Sequence, residues 1–369
     1  VEEIPLEYKI ALGQIPRIGD ISARKLVAFF GSVEAVFLEP VRSMMKIPGI
    51  GETLARNICD RSYLDAAKRE AEFVSKYNIK TYFYLDVDYP YRLGQCEDSP
   101  VVFFYKGNTD LNAGKILSIV GTRSATIRGR EICEKIISTL AARHGDLLIV
   151  SGLAYGIDIA AHKSALKHGL PTVGVLGTGL KTIYPSLHRS TAEEMVKQGG
   201  LISDFLSDTP PDRNNFIKRN RIIAGLADAT LVVESGAKGG ALISADIAAS
   251  YNRDVLAVPG RVNDQFSVGC NNLIKNNKAA MVESASDIEY LLNWTFQEKE
   301  KPQQKKIFSE LSPDEELIAM LLTEMGEADT DTIHRSSGIP VFKLSQILLQ
   351  LELKEIVKFS PGNIYRIIV

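Results

Sequence analysis

The sequence predicts an α/β protein built on a doubly wound parallel sheet. Two observations carry this. First, short and nearly continuous apolar runs fall at 115–120, 147–150, 172–176, 201–203, 230–233 and 255–258, and stretches of helical periodicity separate them. Strands read this way when helices cover both faces of a parallel sheet. Second, glycine-rich turns follow these runs: Gly121-Thr122-Arg123, Ser151-Gly152, Gly177-Thr178-Gly179 and Ser235 to Gly240. Ligands of such sheets sit beyond the carboxyl ends of the strands. The four turns are therefore expected to converge on one edge of a Rossmann-like sheet occupying residues 79–293.

Ahead of the sheet, residues 1–78 read as a helical domain. Ile15-Pro-Arg-Ile-Gly19 recurs 32 residues later as Ile47-Pro-Gly-Ile-Gly51, and a helical pattern follows each copy. The pair resembles helix-hairpin-helix motifs (a SAM-like arrangement), whose turn presents backbone N–H groups to a phosphate. Arg17 stands where the hairpin glycine usually sits. Two readings remain, phosphate contact or turns that only pack helices together. The even mix of acids and bases nearby favours packing.

Behind the sheet, residues 294–310 read as a charged linker, with Gln297 to Lys306 its most polar part. Residues 311–369 read as a winged-helix-like domain. Ser312-Pro-Asp-Glu-Glu opens a helix with a capping serine, a first-position proline and acids in the first turn. Helices at 331–336 and 341–353 follow, then a turn between two short strands around 359–366. Acids outnumber bases in this tail, and the would-be recognition helix is charge-balanced. A duplex binder should present a basic face, so protein contact or regulation is the expected role.

The chain is organised around residues 213–240. A cationic helix start carrying Phe216, Lys218, Arg219, Asn220 and Arg221 leads to the strand at 230–233, then to the turn Ser235, Gly236, Lys238, Gly239, Gly240 that opens another helix. Glycines at a strand-to-helix turn let main-chain amides approach an anion, and the helix N-terminus adds partial positive charge. Arginine pairs with phosphate bidentately, and an aromatic ring among arginines suggests a stacked base. Residues 213–240 thus read as a phosphate-and-base site.

Composition narrows the function further. With 369 residues, 45% hydrophobic and 24% charged, the chain can bury a sizeable core; its net charge of −2 confines any nucleic-acid site to a local patch. Cys59, Cys96, Cys133 and Cys270 are scattered and give neither a disulfide framework nor zinc spacing, so no metal is expected. Asp158 and His162 share a helix face but lack a third ligand, which favours a capping Asp and a packed His. The first turn lacks the GxGxxG fingerprint, and GxxxxGK[ST] is absent throughout. Ser151 sits in no GxSxG elbow. Glu234 is the one carboxylate to nominate at a strand end, and pairing with a neighbouring arginine is its expected role. No catalytic constellation emerges, so the expectation is a non-enzyme without cofactor. No apolar run approaches the roughly 20 residues that cross a bilayer, so a cytoplasmic protein without membrane contact is expected.

Several segments together resemble the DNA-processing protein A (DprA/Smf) family of bacteria. They include Tyr89-Pro-Tyr-Arg-Leu93, Ser99-Pro-Val-Val-Phe-Phe-Tyr-Lys-Gly107, Ile119-Val-Gly-Thr-Arg123, Val150 to Asp158 with Ala161-His162, and Gly174 to Leu180 with Tyr184-Pro185. Phe216 with Arg219 to Gly225, Val258-Pro-Gly260, Ser267-Val-Gly and Asn271 to Ile274 complete the match. Ile217 stands where the family often has Pro, and Asp204 where Glu is common. The resemblance implies binding and protection of single-stranded DNA, loading of the RecA recombinase during natural transformation, and a homodimer. It implies phosphate contacts by Gly121, Thr122 and Arg123, with Lys218, Arg219, Asn220 and Arg221 beside them and Phe216 stacked on a base. The turns Ser151-Gly152 and Ser235 to Gly240 complete the expected DNA-contacting set. The alternative, by analogy with related folds, is a nucleotide sensor or an N-glycosidic-bond hydrolase.

Overall fold

A computed structural model describes residues 4–294, 311–354, 356–360 and 362–367. It divides into two compact units, one ending and the other beginning within the undescribed stretch 295–310. All of the predicted linker after Trp294 lies outside the described residues.

The first unit is built on nine strands: β1 (Lys80–Phe83), β2 (Val102–Gly107), β3 (Ile116–Val120), β4 (Leu148–Ser151), β5 (Thr172–Val175), β6 (Gly200–Ser203), β7 (Ala229–Val232), β8 (Asp254–Ala257) and β9 (Ala280–Met281). Their order is β1-β2-β6-β5-β4-β3-β7-β8-β9. From β6 to β9 every pairing is parallel. The expectation of a parallel sheet needs one correction, because β2 runs antiparallel to β6 and β1 antiparallel to β2. These strands lie in the aromatic run around residues 80–107, which gives no alternating strand–helix signal.

Within β3, Ile116 and Val120 join the core on one face of the sheet, while Leu117 and Ile119 join the core on the other. Helices Asn220–Leu226 and Gly240–Ser250 cover the first face; Ile127–Arg143 and Ile157–Lys167 cover the second. The Ser118 and Thr230 hydroxyls would be costly orphans in this interior. They bond each other at 2.7 Å across β3 and β7.

The N-terminal helices share one core with β1 and β2, where Leu26, Val36 and Ile58 pack with Phe83, Val102 and Phe104. The two repeated turns have the same backbone. Arg17 (φ 64°) and Gly49 (φ 87°) are both left-handed, and Ile18 and Ile50 each donate an amide three residues back. An arginine there costs roughly 1–2 kcal/mol that glycine does not. Beyond the first turn, Asp20 opens helix Asp20–Phe30. Its carboxylate accepts the Val101 amide at 2.8 Å and pairs with Arg221 at 3.0 Å. Asp20 thus ties this helix to the residue before β2 and to helix Asn220–Leu226.

The second unit has helices Pro313–Met325, Thr330–Ser337 and Val341–Leu353, and strands β10 (Glu327–Asp329), β11 (Val357–Ser360) and β12 (Ile364–Ile367) in the order β10-β12-β11. Ser312 and Glu315 form a reciprocal capping box at its first helix. Ile318, Leu322, Ile333, Leu344 and Leu351 fill its core.

Candidate nucleic-acid interface

Strand β3 connects forward to β4 on one side, while β7 connects to β8 on the other. The sheet therefore reverses its winding between β3 and β7, and this is where a doubly wound sheet opens a crevice. A cleft of about 970 Å³ lies there. One wall is the turn after β3, another the turn after β7, and the third is helix Arg213–Lys218. Helix Gly240–Ser250 starts at the cleft with no side chain capping it. Its first amides and its positive dipole end face a cleft lined by exposed Lys238, Gly239 and Gly240.

Eleven of the residues predicted from sequence line this cleft: Gly121, Thr122, Arg123, Phe216, Arg219, Asn220, Ser235, Gly236, Lys238, Gly239 and Gly240. They do not all act alike. Arg123 is exposed, and its guanidinium lies 5.8 Å from the centre of the half-buried Phe216 ring. Thr122 shapes the turn, because its amide donates to the Glu234 carbonyl at 2.7 Å and its own carbonyl accepts from Ile157. At Gly121 a Cβ would sit 2.4 Å from Ile157, so the glycine allows the turn to close onto the following helix. Ser235 commits its amide to Phe266 and its hydroxyl to the Gly236 carbonyl.

Arg219 is buried under this surface. Its Nη1 donates to the Val175 carbonyl and its Nε to Asn220 Oδ1 at 3.1 Å. No carboxylate among the described residues lies within 4 Å of it, and Nη2 has no hydrogen-bond partner among them. Burial pulls its pKa down to about 10, with Asp158 opposing and Arg123 adding to the shift. A cation in this position carries a desolvation cost that an arriving phosphate would repay. Asp158 does not neutralise it by contact. Burial raises the Asp158 pKa, while the nearby Arg219 charge and the amides of Ala154 and Gly152 hold it back. His162 is packed, with Nδ1 against the Thr172 hydroxyl at 2.7 Å, and burial pushes it down to about 3.

Four of the predicted residues do not line the cleft. Ser151 is fully buried and donates its hydroxyl to the Ile119 carbonyl at 2.5 Å. Gly152 makes room for the buried arginine, since a Cβ there would meet Arg219 Nη1 at 2.1 Å. Lys218 is turned toward Asp204 at 3.7 Å and the Phe205 ring at 5.5 Å. Arg221 is locked in a buried cluster, with Nη2 on Asp204 at 2.6 Å, Nη1 on Asp20 at 3.0 Å and a bond to the Asp98 carbonyl. Glu234 also departs from its expected pairing with an arginine. Its two oxygens accept the Thr126 amide at 2.9 Å and hydroxyl at 2.7 Å. Beyond the turns, Gly177 lies under the Phe216 ring and Gly179 against the backbone of Leu206 and Ser207.

The cleft also contains residues the sequence reading passed over. Tyr184, quoted only as part of a motif, places its ring 5.5 Å from Phe216 at 43°. Arg213 adds an exposed cation at the rim. Among the described residues no group of three His, Cys, Asp or Glu side chains is placed to hold a metal. No described helix is long and apolar enough to cross a membrane.

The family model described as DNA recombination-mediator protein A matches residues 80–293, which contain all nine strands and the cleft. The chain belongs to this family. Among DNA recombination-mediator A relatives, the DNA processing protein DprA of Streptococcus pneumoniae is 33% identical over 262 residues, 67% of this chain and 92% of that protein. Protein Smf of Escherichia coli is 35% identical over 289 residues, 76% of this chain and 75% of that protein. The X-ray structure of the Streptococcus pneumoniae protein superposes with a TM-score of 0.67 at 31% identity, covering 80% of this chain and 99% of that one. A Helicobacter pylori DNA processing protein A, solved for its single-stranded DNA binding mode, gives a TM-score of 0.54 at 25% identity, covering 60% of this chain and 99% of that one. The family places the protein in DNA processing and recombination.

Proposed function

We propose that the cleft grips single-stranded DNA without reacting with it, and that the protein shields incoming strands and passes them to the RecA recombinase during natural transformation, acting as a homodimer in the cytoplasm. One observation carries the reading: an exposed arginine over an aromatic ring, with a second arginine buried beneath that meets no carboxylate among the described residues, at an uncapped helix start. Phosphate would take the amides and guanidinium groups, and an unpaired base would stack on Phe216 and Tyr184. The Helicobacter pylori relative, described as a single-strand binder, supports it. Hydrolysis of an N-glycosidic bond loses its nominated carboxylate, since Glu234 spends both oxygens on Thr126.

Oligothymidylate binding across a salt series tests this. The logarithm of affinity is expected to fall linearly with the logarithm of salt, by about 0.7 per phosphate contact on a single strand. Arg123→Ala should shrink that slope by about one contact. Phe216→Ala should cost about 1–3 kcal/mol with the slope unchanged. A salt-independent affinity overturns the reading.

A further inference from the structure

Outside the cleft, Tyr77 follows helix Ser62–Lys76 with its ring half exposed. Phe73 packs behind it with ring centres 4.7 Å apart. Two ammonium groups flank the ring, Lys76 at 5.6 Å from its centre and Lys106, from β2, at 5.9 Å. Neither has a carboxylate within 4 Å among the described residues, whereas Lys80 nearby is paired with Asp88 at 2.7 Å. In a chain of net charge −2, a flat exposed ring between two uncompensated cations is a base platform with phosphate partners attached.

One loop touches both the cleft and the neighbourhood of helix Ser62–Lys76. Lys181 and Tyr184 lie three residues apart in one loop, so their Cα atoms are at most about 11 Å apart. Tyr184 faces Phe216 in the cleft, while Lys181 pairs with Asp208, next to Ser207, whose amide and hydroxyl donate to Glu70 on helix Ser62–Lys76. The Lys181–Asp208 pair at 2.6 Å is exposed on both sides. An exposed pair is worth little, so this lysine can turn to a phosphate at small cost.

We propose that Tyr77, Lys76 and Lys106 form a second contact point for single-stranded DNA, reached from the cleft past Lys181. The proposal rests on the cleft being the first contact point. Oligothymidylates of about 6 nucleotides engage the cleft alone, and those of about 20 also reach Tyr77. Tyr77→Ala and the pair Lys76→Glu with Lys106→Glu are expected to weaken the long oligomer roughly tenfold while leaving the short one unchanged. Tyr77→Phe, which keeps the ring, should bind both like wild type. Equal weakening of both lengths, or no weakening of the long one, overturns the proposal. Arg123→Ala, run alongside, should weaken both lengths. If it weakens neither, the cleft reading fails, and the Tyr77 variants still decide whether this platform holds DNA.

Discussion

Replacing Arg221 by methionine is expected to lower the unfolding free energy by about 3–5 kcal/mol, the range for breaking a buried ion pair from one side. The substitution keeps the volume and removes the charge. It leaves Asp20 nearly buried without its cation, and Asp204 buried with only the more distant Lys218 at 3.7 Å beside it. Burial alone would pull the Arg221 pKa down. Asp204 and Asp20 more than offset this and hold the guanidinium above its ordinary value. The cluster also joins distant parts of the chain: Asp20 opens an N-terminal helix, Asp204 follows β6, and the Asp98 carbonyl precedes β2. Urea denaturation should therefore show an earlier midpoint, with oligothymidylate affinity of the folded fraction within about twofold of wild type. If affinity collapses while the midpoint holds, Arg221 belongs to the binding surface and not to a cluster that holds the fold.

The contrast between neighbouring arginines shows what the sequence could and could not reveal. The six parallel strands from β3 to β8 were legible because burial on both faces leaves apolar runs with little alternation. The convergence of turns was legible because strand ends of a parallel sheet share one edge. The antiparallel strands β1 and β2 were not, since they carry no intervening helix pattern. At the site, Arg219, Asn220 and Arg221 are adjacent in sequence, and composition treats them as one cationic helix start. Helix Asn220–Leu226 is buried throughout, so adjacent side chains leave it in different directions. One reaches the cleft floor and another an acidic cluster contributed by residues near 20, 98 and 204. Nothing local in the sequence marks those partners. Tyr184 was hidden for the same reason: only the fold brings its loop onto Phe216.

Arg219→Met is expected to give the opposite result, a near-normal midpoint with a large loss of binding. Two costs oppose each other in the free protein. Removing the guanidinium leaves the Val175 carbonyl without that donor, worth about 1–3 kcal/mol. It also removes a buried cation with no carboxylate in contact, whose lowered pKa shows that the fold disfavours the charge. These terms are similar in size, so the urea midpoint should move by no more than about 1 kcal/mol equivalent. Binding has no such compensation. A charge-assisted bond to phosphate is worth about 1.5–3 kcal/mol, so oligothymidylate affinity should fall about 10- to 150-fold. The salt slope should shrink as well, because one phosphate contact is lost. A variant that binds normally would mean that the buried charge serves the fold, and that the cleft holds the strand by its rim alone. The free protein would then carry the desolvation cost of Arg219 with no ligand to offset it, and such a charge persists only where something else in the fold requires it.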